Sequence, residues 1–184
     1  ASVKANSTYK WSCTSTSRVL SANGIPDHAV GTFPNPGNPN TIAAQSTAAT
    51  YTLTPQTSTT ATNLGGQRGA VGYAVNGIKF DPDTGGTCND SGNSCSAIGG
   101  TGQWRMEALG QTSFNFGVDN NNAHVQPGGE YHYHGMPEGY VAKLNKGQTI
   151  TLIGWAADGF PIYARYGYST ATDATSAIKV MKGS

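Results

Sequence analysis

Apolar residues along this chain fall in short runs with β-branched or aromatic character, and turn signals separate the runs. "TYTLT" (50–54), "AVGYAVNGIKF" (70–80), "SFNFGV" (113–118), "EYHYH" (130–134) and "TITLIGWAADGFPIYARYGY" (149–168) are such runs. Between them lie "NPGNPN", "NLGG", "DPDTGG", "NDSGN", "DNNN", "PGGE" and "NKGQ". Helical periodicity is nearly absent; the best helical stretch is "NTIAAQSTAAT" (40–50). Short strands with frequent turns predict a mainly β protein, an antiparallel β-sandwich or barrel-like domain with long loops. The Pro-, Asn- and Thr-rich region 33–63 is expected to cross the surface as loops and edge strands. No linker is long enough to split the chain, so residues 1–184 are read as one domain.

Composition narrows the class. Charged residues are 11% of the 184, against roughly 25% in ordinary soluble chains. Ser, Thr, Asn and Gly carry the polarity instead, a mix that suits an extracellular or periplasmic β-protein. The net charge of +1 is spread along the chain; there is no basic patch, and nucleic acid is excluded as a partner on that ground. No run approaches 18 apolar residues, so no membrane span is expected. The opening "ASVKANSTYKW" lacks an apolar signal core and reads as a mature N-terminus or a boundary.

Three cysteines are an odd count. Cys88 and Cys95 enclose the turn-forming "NDSGNS", and an oxidising compartment predicts a disulfide between them. Pairing of Cys13 with either stays open. Their six-residue gap is not the short spacing of zinc-binding cysteine pairs.

The chemistry lies in the histidines. An extended segment points alternate side chains to opposite faces. In "EYHYH", His132 and His134 therefore share one face, and Tyr131 and Tyr133 the other. Two imidazoles on one face can converge on one ion. His124 lies just upstream, and Pro127, Gly128 and Gly129 can fold it back. Neutral imidazole suits copper and zinc. Acid–base catalysis is the competing use of the same rings. His28, in "NGIPDHAVGTFPNPGNPN", reads by spacing alone as a loop residue.

At this point the sequence resembles a known family. "GGEYHYHGMP" is the signature of YHYH-domain proteins, a mainly secreted bacterial family. "ANGIPDHAVGTFPNPGNPNTIAAQ" (22–45), "AVNGIKFDP" (74–82), "FGVDNNNAHVQPGGEYHYHGMP" (116–137) and "LIGWAADGFPIYARYGY" (152–168) look like family blocks in family order. They cover most of residues 22–168. Ala164 stands where the family often carries glycine. The resemblance implies that His28, His124, His132 and His134 all stand in family motifs, as do Asp27, Asp119 and Asp158. On that basis His28 becomes a candidate fourth ligand.

The acidic residues have two readings each. Asp158 and Asp119 either hydrogen-bond the outer nitrogen of a ligand histidine or cap local turns. Asp81 and Asp83 match the start of a calcium loop, but position twelve is Gly92 rather than Glu, which leaves calcium behind copper and zinc. No phosphate loop, nucleophile elbow or Rossmann fingerprint is present. Three functions follow: a secreted copper- or zinc-binding protein, a metal-dependent extracellular hydrolase or oxidase, or a structural or adhesive module that self-associates through strand edges.

Overall fold

The computed structural model describes residues 5–182 apart from 61–69, 82, 90, 97–101, 103 and 113. In chain order the elements are β1 (Tyr9–Cys13), β2 (Ser17–Ala22), β3 (Thr47–Thr52), β4 (Gly72–Ala74), β5 (Lys79–Phe80), β6 (Asp83–Cys88), β7 (Cys95–Ser96), β8 (Trp104–Glu107), β9 (Ala123–Val125), β10 (Tyr131–Tyr133), α1 (Glu138–Leu144), β11 (Leu152–Ala156), β12 (Pro161–Tyr163), β13 (Tyr166–Tyr168) and β14 (Ile178–Val180). The protein is mainly β, as the run pattern predicts.

Among the described residues the strands form four sheets. The largest has the order β12-β11-β4-β5-β10-β9. It is mixed, because β10 runs parallel to β5 while its other neighbours pair antiparallel. A parallel neighbour needs a crossover, and the one from β5 to β10 carries β6 to β9. An antiparallel sheet β1-β2-β3 packs beside it. The Trp11 indole N–H donates to the Val75 carbonyl at 3.0 Å, and the Arg18 guanidinium lies 3.3 Å over the Trp155 ring centroid. Two small sheets, β7-β6-β8 and β13-β14, complete the set. In the first, Cys88 and Cys95 are directly opposed and joined by a disulfide, with Cys13 free and exposed.

The segment 40–50, the best helical stretch of the sequence, forms no helix, and its end enters an edge strand as expected for the region 33–63. Thr47–Thr52 is an edge strand whose Thr47 and Tyr51 face inward. Threonine and tyrosine favour a pleated, half-buried surface, and this outweighs the alanines. The helix that does form, α1, was not expected. Glu138 opens it, Lys143 closes it, and Asn145 caps it in a left-handed conformation.

The core lies against one face of the large sheet. Ala123 and Val125 of β9 and Tyr131 and Tyr133 of β10 join Phe33, Ile78, Tyr140 and Ile153 there. Ile78 is fully buried; such burial stabilises by roughly 1.5–3 kcal/mol per side chain. The free edge of β9 is blunted. The Asn38 and Asn40 side-chain amides both donate to the Val125 carbonyl, at 2.9 and 2.8 Å.

Candidate metal centre

The hairpin β9–β10 builds the site. Its turn closes with Gly129 N–H donating to the Gln126 carbonyl and Gln126 N–H to that of Glu130, both at 2.9 Å. Gly128 and Gly129 take φ of 103° and 91°, values that side chains with a Cβ strongly resist. This turn sets the register Tyr131↔Val125, His132↔His124 and Tyr133↔Ala123. Alternation then sorts the two faces: tyrosines with Val125 and Ala123 on one, His132 with His124 on the other. His134 follows directly after β10. Its amide donates to the Asn122 carbonyl at 2.7 Å, which returns its ring to the histidine side.

The three imidazoles meet at their Nε2 atoms. His134 Nε2 lies 3.0 Å from His132 Nε2 and 3.1 Å from His124 Nε2. His132 and His134 are buried and His124 is half-buried. Nδ1 of His124 is 2.9 Å from the Phe116 carbonyl, and Nδ1 of His132 is 3.2 Å from that of Glu130. A carbonyl only accepts, so each Nδ1 carries the proton and each Nε2 presents a lone pair. Both lone pairs aim at one nitrogen. A single proton on His134 Nε2 satisfies one of them; a cation among the three satisfies all. Ligand nitrogens at 2.0–2.1 Å around a tetrahedral ion stand about 3.3 Å apart, so opening the cluster by a few tenths of an ångström admits one. Among the described residues this is the one such group.

The electrostatics favour neutral rings at His132 and His124. Burial, then the neighbouring His134 and His124 and the Lys79 ammonium, hold His132 well below the usual histidine range. Burial also lowers His124, against the opposing bond to Phe116. Neutral imidazole is the ligating form.

Beside the cluster lies a charged group that the sequence reading missed. Lys79, the β5 partner of His132 in the parallel ladder, is buried. Its ammonium lies 3.1 Å from Asp81 Oδ2 and 2.9 Å from Glu130 Oε2, and donates to Gln126 Oε1 at 3.1 Å. Gln126 Nε2 in turn donates to Asp81 Oδ2 at 3.2 Å. This corrects the calcium reading for Asp81, whose carboxylate is already held by a cation. The Asp83 carboxylate lies outside the described residues. The signal was available: Lys79 and Asp81 share a face within an otherwise apolar strand.

His28 stands on the other face. Its Nδ1 donates to the Ala29 carbonyl at 2.9 Å, so its Nε2 accepts from the Tyr133 hydroxyl, 2.6 Å away. The Asn76 amide donates to that hydroxyl at 3.1 Å and to Asp27 Oδ1 at 3.0 Å. The expectation of His28 as a fourth ligand is therefore corrected: strand β10 separates it from the other three. Asp119 is also on the tyrosine side. It accepts from the Tyr131 hydroxyl at 2.7 Å, from Gly31 N–H at 2.9 Å and from Asn121 N–H at 2.8 Å. Asp158 is exposed and accepts from Phe160 N–H at 3.2 Å, a capped turn. Neither carboxylate orients a cluster histidine. Burial, with added help from the Asp119 charge at Tyr131, raises both phenols far above their ordinary value. They stay protonated and act as anchors of the strand.

A family model described as YHYH protein matches residues 48–184, which includes all three cluster histidines and leaves His28 outside. No curated protein and no solved structure matches the chain.

Proposed function

The chain belongs to the YHYH protein family, and from that premise we propose that it is a secreted protein that binds one transition-metal ion, copper or zinc, through His124, His132 and His134. The carrying observation is the convergence of the three Nε2 atoms, two of them with lone pairs fixed by backbone carbonyls. An all-imidazole donor set favours copper over zinc by the Irving–Williams order. The Cys88–Cys95 disulfide and the low charge content support an oxidising compartment. No helix among the described residues is long and apolar enough to cross a membrane.

The enzymatic reading keeps one specific support. Three protein ligands leave a tetrahedral ion one open position, as in catalytic zinc sites. The bound ion would supply Lewis acidity there, or redox chemistry if it is copper. The adhesive reading loses ground, because the edge of β9 is capped by Asn38 and Asn40. Metal analysis of protein purified without a histidine tag tests the proposal. One equivalent of copper or zinc, absent after His132→Ala with His134→Ala, upholds it; metal-free protein that takes up neither ion overturns it.

A further inference from the structure

A cavity of about 260 Å³ lies where β10 ends. Its walls are mostly carbon, from Phe80, Pro137, Ile153 and Ile162. Asp81 and His134 also line it. His134 is the residue whose Nε2 touches both other histidines. Tyr163 also lines the cavity and is 50% exposed, whereas Ile153 is 2% exposed. The space therefore runs from solvent at Tyr163 inward toward Ile153, with His134 among its lining residues. It is part of the sheet's design: a Cβ on Gly72 would stand 3.0 Å from Ile162 Cδ1, and one on Gly154 2.8 Å from Phe80 Cε2. Those glycines let both side chains lie down against the strands.

We infer that this cavity binds a small, largely apolar molecule the size of one substituted ring, with a single hydrogen-bonding group turned toward His134 and Asp81. Apolar walls hold water poorly, and displacing that water by carbon is favourable. An apolar cavity of about 150 Å³ is known to admit benzene; the larger volume here takes a ring with a substituent. Asp81 or His134, both among the lining residues, would meet the hydrogen-bonding group and set the orientation. That the molecule lies beside a metal ion rests on the proposed function; that it binds does not.

The probe is 4-fluorophenol, followed by fluorine NMR with full-length protein. Saturable binding is expected in metal-free and zinc-loaded protein. Copper(II) loading should broaden the bound resonance beyond the zinc-loaded width, because the paramagnetic ion sits one imidazole away. Ile162→Phe fills the cavity and should abolish binding while copper uptake persists. Should that variant not fold, Tyr163→Ala, which opens the wall at a half-exposed position, should weaken binding instead. No saturable binding, or binding that neither substitution alters, overturns the inference. If copper binds and 4-fluorophenol does not, the cavity inference alone falls. If 4-fluorophenol binds in an Ile162-dependent way and no ion does, the metal reading alone falls.

Discussion

His124 and His132 stand directly opposite each other across the β9–β10 ladder, with ring centroids 4.7 Å apart. A slip of one residue would set His132 against Ala123 or Val125 and turn one ring to the core face. The Pro-Gly-Gly return prevents this. In Gly129→Ala the new Cβ would meet Ala43 Cβ at 2.5 Å and Ala43 N at 2.9 Å, at a φ of 91°. The expected loss is about 1–3 kcal/mol in denaturant unfolding, from backbone strain. Copper affinity should fall with it. Unchanged stability and affinity would show that the turn does not set the register.

Copper and zinc should each raise the unfolding temperature, copper at lower concentration. At a hundredfold excess over Kd the gain approaches about 2.7 kcal/mol. His132→Ala with His134→Ala should remove it and leave a folded β-protein. A thermal shift that survives the double change places the ion elsewhere.

Acid should destabilise the metal-free protein. The folded-state pKa of His132 lies below its unfolded value of 6.5, chiefly through burial, and His124 shifts the same way. The unfolded chain thus binds more protons than the folded one below that pH. The contribution is complete above 6.5 and is lost as pH falls toward the folded values. A bound ion competes with those protons and moves the loss to lower pH. Urea melts between pH 8 and 4.5 check this; stability that rises on acidification from 6.5 contradicts it.

Tyr133→Phe removes a hydroxyl that donates to His28 and accepts from Asn76. Stability should drop by about 1–3 kcal/mol, since Asn76 remains buried and His28 half-buried without it. His28→Ala should act through the same bond. Both should leave copper affinity within about twofold, because independent sites couple weakly. A tenfold loss in His28→Ala would return that residue to the ligand set.

Under denaturing, non-reducing conditions one thiol should titrate, that of Cys13. Reduction of Cys88–Cys95 should cost about 2–3 kcal/mol by the chain-entropy relation. Three thiols before reduction would contradict the bridge.

The alternation in "EYHYH" was enough to place His132 and His134 on one face, because period two is a local property of an extended chain. The return of His124 was legible from Pro127, Gly128 and Gly129 for the same reason. His28 was not. It lies 105 residues from its partner Tyr133, and nothing local tells which face of β10 a distant loop will cover. The parallel pairing of β5 with β10 is equally non-local, so the sequence did not place Lys79 and Asp81 beside His132. Strands β1 and β2 escaped notice because Ser, Lys and Arg interrupt the apolar positions of "YKWSC" and "SRVLSA" and most of these positions stay partly exposed. The alanines of 40–50 are the nearest the sequence comes to a helix, yet β2 pairs with Thr47–Thr52 as the edge strand expected of the region 33–63.

All three cluster histidines fall between residues 124 and 134, inside a hairpin with a tight turn. Small loops close in well under a microsecond, whereas β10 must wait for a partner strand some 50 residues upstream. An unfolded chain therefore already offers three imidazoles within one short reach. Metal present during folding would have a foothold before the large sheet assembles, and would favour the native turn over its slipped alternatives. The same foothold means that the ion also binds the denatured chain to some extent, so the thermal gain from a given affinity is smaller than for ligands gathered from distant strands. Its release should then be governed by opening of one hairpin rather than by unfolding of the whole protein.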